Sequence, residues 1–256
     1  MPELSDEPSR MSIPGLDAWL DSAQGRYVLA WEQREMDALV EDIFGFNALQ
    51  IGLPQCPLLR ANRIPLRQTV SSPGGAGHAF AQADVLCDLK ALPFASHSTD
   101  LALLPHVLEF CDDPHLILRE VERLLIPEGQ IIITGFNPFS LWGLRRRGKR
   151  RGQFPWHGDW LSPNRLKDWL RLLGFEVGGA VFGCYAPPLT EEKWLRRWHP
   201  LENMGRRWWR FSGGVYMLRA IKRTSGMRLI TPEWRSRSVA QKALRPAVQK
   251  EIHEQG

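Results

Sequence analysis

Apolar residues recur at the helical spacing of three to four positions in three stretches of the chain. The first stretch runs from Gln24 to Phe44. The second begins at Asp113-Pro114 and the third at Ser162-Pro163, where a short polar side chain can cap a helix and proline suits its first position. The pattern predicts one amphipathic helix in each stretch.

Short runs of β-branched and other apolar residues predict the strands. These runs occupy residues 48–52, 64–71, 83–87, 101–104, 130–134, 176–184 and 215–221. Strands and helices alternate up to residue 134, and this order favours a mainly parallel sheet with helices on both faces. The sequence therefore predicts an α/β fold, in which a ligand would bind beyond the carboxyl ends of the strands.

The regular pattern is confined to the middle of the chain. The 256 residues, of which 43% are hydrophobic, can build one full core. We expect a flexible leader over residues 1–23 and a single domain over 24–223, which includes a basic insertion at 144–151. Residues 224–256 are basic, polar and weakly periodic, so we expect a disordered tail there.

Composition disfavours several classes of protein. No apolar segment has the form of a secretory signal or reaches the roughly 18–20 residues of a membrane span. The four cysteines include no C-x-x-C pair and the seven histidines no H-x-x-x-H pair, so we expect reduced thiols, a cytoplasmic location and no metal site. The Walker loop, the G-x-S-x-G elbow and the dinucleotide fingerprint are absent, which disfavours NTPases, hydrolases and nicotinamide enzymes.

Charge is distributed unevenly along the chain. Residues 1–140 contain 9 Lys and Arg against 19 Asp and Glu, whereas residues 141–256 contain 24 against 9, together with nine of the eleven Trp. Basic residues interleaved with aromatic ones suit RNA or another polyanion, and they also suit peripheral contact with an anionic membrane. A solvated basic face is the simplest alternative.

Residues 88–138 carry a series of motifs in a fixed order: Asp88, Leu-Pro-Phe, an Asp-Leu strand, His-Val-Leu-Glu, an Asp-Pro helix start and a Leu-x-Pro-x-Gly turn before a strand. The series resembles class I S-adenosylmethionine-dependent methyltransferases of type 11. The segments ALQIGLP, LPHVLEFCDDPHLILRE and GFNPFSLWGLRR are similar to the YafS-like branch of that family. The resemblance implies a Rossmann-like class I methyltransferase fold, S-adenosylmethionine (SAM) as the cofactor, and methyl transfer as the activity.

The resemblance also assigns cofactor-binding roles. It implies that Asp88 accepts a hydrogen bond from the adenine amino group, and that Leu89 packs on the adenine with its N–H towards the ring. Gly52 would let the backbone approach the cofactor closely, because it has no Cβ. Pro105 and His106 would flank the methionine end of the cofactor.

Two parts of the family pattern are missing. The Asp-x-Gly-x-Gly-x-Gly loop is replaced by Q-I-G-L-P-Q-C at residues 50–56, in which only Gly52 is kept. No carboxylate that could pair with the ribose hydroxyls is identifiable at the end of the strand at 64–71. These departures keep a second hypothesis open, namely a non-catalytic module of methyltransferase fold that binds RNA or protein.

Four residues are candidates for the substrate side of the site. Asn137 follows the strand at 130–134, and Arg145, Arg146 and Arg147 begin the basic cluster of the insertion. Asn137 could instead simply end the strand in a turn. For the arginines, contact with phosphate and a solvated charge run are both open.

The sequence identifies no catalytic residue. His106 could act as a general base, but a role in lining the pocket is favoured, because methyl transfer to many nucleophiles needs only positioning. The leading hypothesis is a methyltransferase whose acceptor is RNA or a small molecule. A third hypothesis is an enzyme that acts on a lipophilic acceptor at an anionic membrane through the Trp- and Arg-rich segment 139–160.

Overall fold

The computed structural model describes residues 15–73, 82–148, 154–189 and 200–223. Its helices are α1 (Leu16–Leu20), α2 (Ala23–Val40), α3 (Pro114–Leu124), α4 (Leu141–Gly148), α5 (Pro163–Leu172) and α6 (Pro200–Trp208). Its strands are β1 (Asn47–Ile51), β2 (Leu66–Ser71), β3 (Val85–Leu86), β4 (Thr99–Pro105), β5 (Leu125–Phe136), β6 (Phe175–Gly183) and β7 (Val215–Lys222). The predicted tail at 224–256 and residues 149–151 of the predicted insertion lie outside the described residues.

The strands of the described chain form one sheet in the order β3-β2-β1-β4-β5-β7-β6. β1 pairs in parallel with β2 and β4, β2 pairs in parallel with β3, and β4 pairs in parallel with β5. β7 runs antiparallel between β5 and β6. This topology confirms the predicted α/β fold, and it places the carboxyl ends of β1 to β5 along one edge of the sheet.

Side chains alternate between the two faces of the sheet, as the period of two in a strand requires. In β4, Ala102 and Leu104 join a mainly aliphatic cluster with α3 and α5. Leu101 and Leu103 join a second cluster with α1, α2 and α4 on the other face. The second cluster is rich in aromatic residues and contains the tryptophans Trp19, Trp31, Trp142 and Trp160. The sheet is therefore the middle layer of three.

Side-chain caps begin two of the predicted helices. The Asp113 Oδ1 atom accepts hydrogen bonds from the N–H groups of His115 (3.1 Å) and Leu116 (3.2 Å) at the start of α3. The Ser162 hydroxyl accepts one from the Arg165 N–H (3.3 Å) at the start of α5. Each cap satisfies N–H groups that have no partner within the helix, and both predicted starts are confirmed.

Three differences from the predicted boundaries exceed two residues. α2 ends at Val40 rather than Phe44, whose side chain is exposed, and the intervening residues turn the chain towards β1. α1 lies inside the predicted flexible leader, because Trp19 and Leu20 are buried in the second cluster; residues 1–14 lie outside the described part of the chain. β5 begins at Leu125 instead of residue 130, since its first residues extend the pairing with β4 beyond a register shift.

None of the described helices is long and apolar enough to span a membrane. The four cysteines, Cys56, Cys87, Cys111 and Cys184, all lie in the described part of the chain and form no disulfide there. Burial raises the pKa of Cys87 to about 11 and that of Cys111 to about 12. These two thiols therefore stay protonated at neutral pH and are poor nucleophiles.

Candidate functional site

The residues predicted to bind the cofactor follow three strands whose carboxyl ends share one edge of the sheet. Gly52 follows β1, Asp88 and Leu89 follow β3, and His106 follows Pro105, the last residue of β4. Because β1 pairs with β4, Gly52 and Pro105 are neighbours, and a Cβ atom built on Gly52 would lie 3.8 Å from the Pro105 carbonyl oxygen. The fold thus brings Gly52, Pro105 and His106 together, while Asp88 and Leu89 stand on the other side of β2.

Gly52 is required by both backbone conformation and space. Its φ is +84°, in the left-handed region, and its N–H donates to the Val70 carbonyl oxygen at 2.8 Å. A Cβ atom at Gly52 would lie 2.7 Å from Val107 Cγ2, so any side chain would displace the segment after β4. A substitution here would therefore disturb two strand ends at once. Close approach of this backbone to a cofactor stays a prediction.

The segment that replaces the expected glycine loop is closed by one side chain, that of Gln50. Its Nε2 atom donates to the carbonyl oxygens of Gly52 (3.2 Å), Leu53 (2.9 Å) and Cys56 (2.9 Å), and its Oε1 atom accepts from the Leu58 N–H (3.2 Å). Gln50 stands where the family pattern has Asp, a side chain that could not donate to three carbonyls when ionised. The departure from the pattern is thus a compact turn with its own stabilising contacts.

Asp88 combines a turn role with a carboxylate oxygen that is open to a ligand. The side chain is exposed, and its Oδ1 atom accepts from the Lys90 N–H at 2.9 Å. Within the described residues, the Oδ2 atom and the N–H of the buried Leu89 form no hydrogen bond. One acceptor and one donor therefore remain available side by side after β3.

No carboxylate lies among the described residues that directly follow β2. The strand ends at Ser71, and Ser72 and Pro73 come next. The hydroxyl groups of the two serines are the polar side chains at that position, where the family pattern would place a carboxylate for the ribose. The absence of a ribose contact from this segment stays a prediction.

His106 is held between two buried carboxylates. Its Nδ1 lies 2.8 Å from Glu109 Oε2 and its Nε2 lies 2.7 Å from Glu32 Oε1. The other oxygen of Glu109 accepts from the Phe136 N–H at 2.5 Å, which ties the segment after β4 to the end of β5. His106 itself has a φ of +52°, a strained conformation for a residue with a side chain. We call Glu32, His106 and Glu109 the buried charged triad.

The surroundings of His106 decide its protonation. Burial by itself would lower the pKa of His106, but the carboxylates of Glu32 and Glu109 outweigh burial and raise that pKa to about 10. Burial raises the pKa of Glu109, although its hydrogen bonds with His106 and the Phe136 N–H oppose the rise. At neutral pH His106 is therefore an imidazolium that donates from both nitrogens. It has no lone pair with which to accept a proton, so it does not fit the general-base role.

The motif pattern contains His106 and Glu109, but it gave no indication of Glu32. Glu109 lies three residues later in the chain, and Glu32 lies on α2, 74 positions earlier. A signal for Glu32 does exist, because it stands four residues from both Val28 and Met36 and so interrupts the buried stripe of α2. Its Oε2 atom is buried and has no hydrogen-bond partner among the described residues, so it could accept a hydrogen bond from a ligand.

Asn137 directly follows β5, and its side chain fastens two loops to each other. Its Nδ2 atom donates to the carbonyl oxygens of Phe211 and Gly213, both at 2.9 Å, and its Oδ1 atom accepts from the Phe139 N–H at 3.0 Å. Asn137 is 1% exposed. The structure therefore places Asn137 in a positioning role, and direct contact with a substrate stays a prediction.

Two of the three predicted substrate-side arginines are engaged within the protein. Arg145 donates to the carbonyl oxygen of Pro188, and Arg146 donates to that of Trp156 at 3.1 Å. Both guanidinium groups also lie over indole rings, at 5.9 and 5.5 Å from the ring centroids. Arg147 is exposed and remains available to a partner. The cluster is thus a helix end that packs partly against the domain.

Comparisons with known proteins agree with the fold class that the sheet topology indicates. A protein-family model described as a methyltransferase domain matches residues 72–133. The chain is 34% identical over 175 residues to the uncharacterised protein YafS of Escherichia coli (strain K12), and the match covers 67% of this chain and 70% of that protein. A stretch of 61 residues is 36% identical to a malonyl-[acyl-carrier protein] O-methyltransferase of Halorhodospira halophila and covers 24% of this chain and 21% of that protein.

The fold is similar to a crystal structure from Thermotoga maritima, described as a SAM-dependent methyltransferase and possible histamine N-methyltransferase. The TM-score is 0.60 with 20% sequence identity, and the match covers 81% of this chain and 94% of that chain. At this level of identity the likeness concerns the fold, which is the class I Rossmann-like fold expected from the motifs. These matches lend no support to the alternative of a non-catalytic binding module.

Proposed function

Because this chain belongs to the family of the Escherichia coli protein YafS, we propose that it transfers a methyl group from SAM to a small-molecule acceptor at the shared strand-end edge. The methyltransferase domain and the class I fold imply SAM as the cofactor. When bound, SAM supplies a methyl group activated by a sulfonium. The chain itself has to hold the cofactor, orient the acceptor and exclude water.

The observation that carries the proposal is the pair of open polar groups after β3. The free Oδ2 of Asp88 can accept a hydrogen bond from an amino group, and the free N–H of Leu89 can donate one to a ring nitrogen. An adenine edge presents this combination of donor and acceptor. The buried Leu89 side chain belongs to the same hydrophobic cluster as Ile51 and Val70, so the pair rests on the core of the sheet rather than on a loose loop. The residues after β3 therefore fit the adenine of the cofactor.

The segment after β1 fits the cofactor less fully. Gly52 keeps the backbone free of a Cβ at the strand end, which suits a close approach. Gln50, however, closes the turn at 52–58, and Ser71 and Ser72 stand where a carboxylate would meet the ribose. We expect SAM affinity to depend strongly on the adenine contacts for this reason.

On the acceptor side, the chain contributes positioning rather than proton removal. His106 holds its own proton between Glu32 and Glu109 and so keeps the turn after β4 attached to α2 and β5. The acceptor would then arrive as a competent nucleophile, such as a carboxylate, a thiolate or a neutral amine. We favour a small molecule over RNA, because Arg145 and Arg146 are engaged with Pro188 and Trp156 instead of facing outward.

The experiment is titration calorimetry of the wild-type protein and of Asp88→Asn with SAM and with S-adenosylhomocysteine. The amide oxygen of the variant can keep the turn bond to the Lys90 N–H, but its other group becomes an NH₂ that cannot accept a hydrogen bond. We expect binding to the wild type and about tenfold weaker binding to the variant, which corresponds to about 1.4 kcal/mol.

Asp42→Asn is the matched control. Asp42 is an exposed carboxylate between α2 and β1, at the opposite edge of the sheet. Its replacement should leave the affinity unchanged. Absence of binding to a wild-type protein shown to be folded would overturn the proposed function. Equal affinities of the wild type and Asp88→Asn for SAM would rule out the proposed hydrogen bond between Asp88 and the adenine.

A further inference from the structure

Two segments lie side by side beyond the ends of β5 and β7. The Asn137 N–H donates to the Gly214 carbonyl oxygen at 2.8 Å, and the Asn137 side chain reaches the Phe211 carbonyl oxygen at 2.9 Å. Phe136 pairs with Val215 directly before these contacts. Segments 137–148 and 203–214 are therefore joined where they meet the sheet, beside the proposed acceptor side, and we call the two segments together the aromatic rim.

Large apolar side chains of the aromatic rim are exposed to solvent. Each of them is between 48% and 72% exposed: Phe139, Leu141, Leu144, Met204, Trp208, Trp209 and Phe211. On α4, Leu141, Leu144 and the exposed Arg147 recur every three residues and so lie along one face, away from the buried Trp142. Clustered exposure of this kind marks a surface that contacts a partner, since isolated exposed apolar residues are normal but a group of them is not.

The charge of the aromatic rim points to an anionic partner. Its two segments contain six arginines and no Asp or Glu. Arg147, Arg207 and Arg210 are exposed, and their guanidinium groups form no ion pair with other described residues. Aromatic and aliphatic groups that alternate with free arginines complement an acyl-chain boundary that carries negative headgroups.

We infer that the aromatic rim docks on the surface of an anionic lipid bilayer, with Phe139, Leu144, Trp208 and Phe211 entering the headgroup region. RNA fits the rim less well. Leu141, Leu144 and Met204 have no flat ring on which a base could stack, and Arg145 and Arg146 are turned inward. A bilayer accommodates the aliphatic and the aromatic side chains alike.

This surface also bears on the methyl acceptor, and that consequence rests on the proposed function. The aromatic rim adjoins the carboxyl end of β5, next to the strand end that carries His106. A molecule lodged in the bilayer would then reach the site directly from the lipid side. The acceptor class is accordingly a lipophilic molecule whose nucleophilic group lies at headgroup depth.

The test is sedimentation of the full-length protein with two kinds of vesicle, phosphatidylcholine alone and phosphatidylcholine mixed with phosphatidylglycerol. We expect co-sedimentation with the mixed vesicles, little with the neutral ones, and weakening at high salt. The double variant Phe139→Ser/Phe211→Ser should lower the partition coefficient by at least about tenfold, because two inserted rings are lost.

The chain offers a matched control, Phe44→Ser/Phe46→Ser. These two phenylalanines are 69% and 78% exposed, against 69% and 72% for Phe139 and Phe211, but they lie before β1 at the opposite edge of the sheet. The control variant should bind vesicles as the wild type does. Thermal unfolding of both variants shows whether either substitution disturbs the fold.

Several results would overturn the inference. They are equal binding to neutral and mixed vesicles, equal loss in both double variants, binding of RNA without vesicle binding, or a dimer that dissociates only in Phe139→Ser/Phe211→Ser. Calorimetry with SAM on the same preparations separates this inference from the proposed function. Normal SAM binding without vesicle binding would reject only the bilayer, and vesicle binding without SAM binding would reject only methyl transfer.

Discussion

Two buried polar clusters stand at neighbouring strand ends and are built in opposite ways. After β1, the neutral side chain of Gln50 forms four hydrogen bonds with the segment at 52–58. After β4, the charged triad places His106 between two carboxylates, and the Glu32 Oε2 atom has no partner among the described residues. One cluster is neutral and internally satisfied, whereas the other is charged and incomplete.

The difference between the two clusters suggests that buried polar groups serve structure in one and function in the other. A buried neutral network with all partners present stabilises a unique loop conformation. A buried cluster of one cation and two anions requires removing three charges from water, and its mutual attraction only partly offsets that loss. The Gln50 cluster is therefore a stable turn in the place of the glycine loop, and under the proposed function the charged triad would position the acceptor side of the site.

The largest expected effect comes from removing the cation of the triad. His106→Leu leaves Glu32 and Glu109 buried without their partner, so we expect a loss of about 3–5 kcal/mol in the free energy of unfolding. Urea denaturation measures it. Adding Glu32→Leu to this variant should recover part of the loss, because one uncompensated carboxylate is removed.

A surface pair provides the scale for that measurement. Arg63 and Glu41 form an ion pair at 3.5 Å with both side chains largely exposed, so Arg63→Leu should change stability by no more than about 1 kcal/mol. A loss in His106→Leu as small as this would mean that the triad is not electrostatically coupled in the folded protein. The double variant should then show no recovery.

The next effect tests the neutral cluster. Gln50→Ala leaves the carbonyl oxygens of Gly52, Leu53 and Cys56 and the Leu58 N–H without their partner, and we expect a loss of about 2–4 kcal/mol after local relaxation. Gln33→Ala serves as a control. Gln33 lies on the partly exposed side of α2 and donates to Asp37, so its loss should stay below about 0.5 kcal/mol. Unchanged stability of Gln50→Ala would show that the turn at 52–58 is stable without the hydrogen bonds of Gln50.

The smallest expected effect is the pH dependence of the free energy of unfolding, which should distinguish the charged triad from the Gln50 cluster. Folding raises the pKa of His106 from near 6.5 to about 10, so its contribution is complete below pH 6.5 and declines as pH rises towards 10. Between pH 7 and 8.5 we expect the free energy of unfolding to fall by about 2 kcal/mol. The window ends at pH 8.5 because the pKa values of Cys87 and Cys111 are also raised. At higher pH these two thiols contribute to the change in the free energy of unfolding as well.

Gln50→Ala should show the same decline with pH as the wild type, because the Gln50 cluster contains no titratable group. His106→Leu should show a different pH profile from both. Urea midpoints at three pH values in that window are sufficient. A wild-type stability that rises or stays level over this range would contradict the assignment of His106 as a buried imidazolium.

Local patterns explain how much of the fold could be predicted. The caps of α3 and α5 require only Asp113 or Ser162 and the residues that directly follow them, so the helix starts were predictable. The strands were located by their apolar runs, and the alternating order favoured a parallel sheet. α1 was missed because a helix of five residues has too few positions to show a period.

The site could be predicted only where its residues are consecutive. Asp88 and Leu89 were identified from a continuous stretch of motifs, and the structure leaves their polar groups available after β3. The partners of Gln50 and Asn137 could not be read from the chain, because hydrogen bonds to backbone carbonyls have no residue-type signature. Arg145 and Arg146 were expected to be exposed, whereas cation–π contact and backbone carbonyls draw them inward.

By itself, the sequence determined the family, the order of the strands and the starts of α3 and α5, since these depend on spacings within short segments. The tertiary structure alone decided the chemistry of that site. It brought Glu32 from α2 to His106 across 74 positions and made a candidate base a cation at neutral pH. It also gathered two distant segments into the aromatic rim. The physical reason is that electrostatic energy and burial depend on distances through space, which only folding establishes.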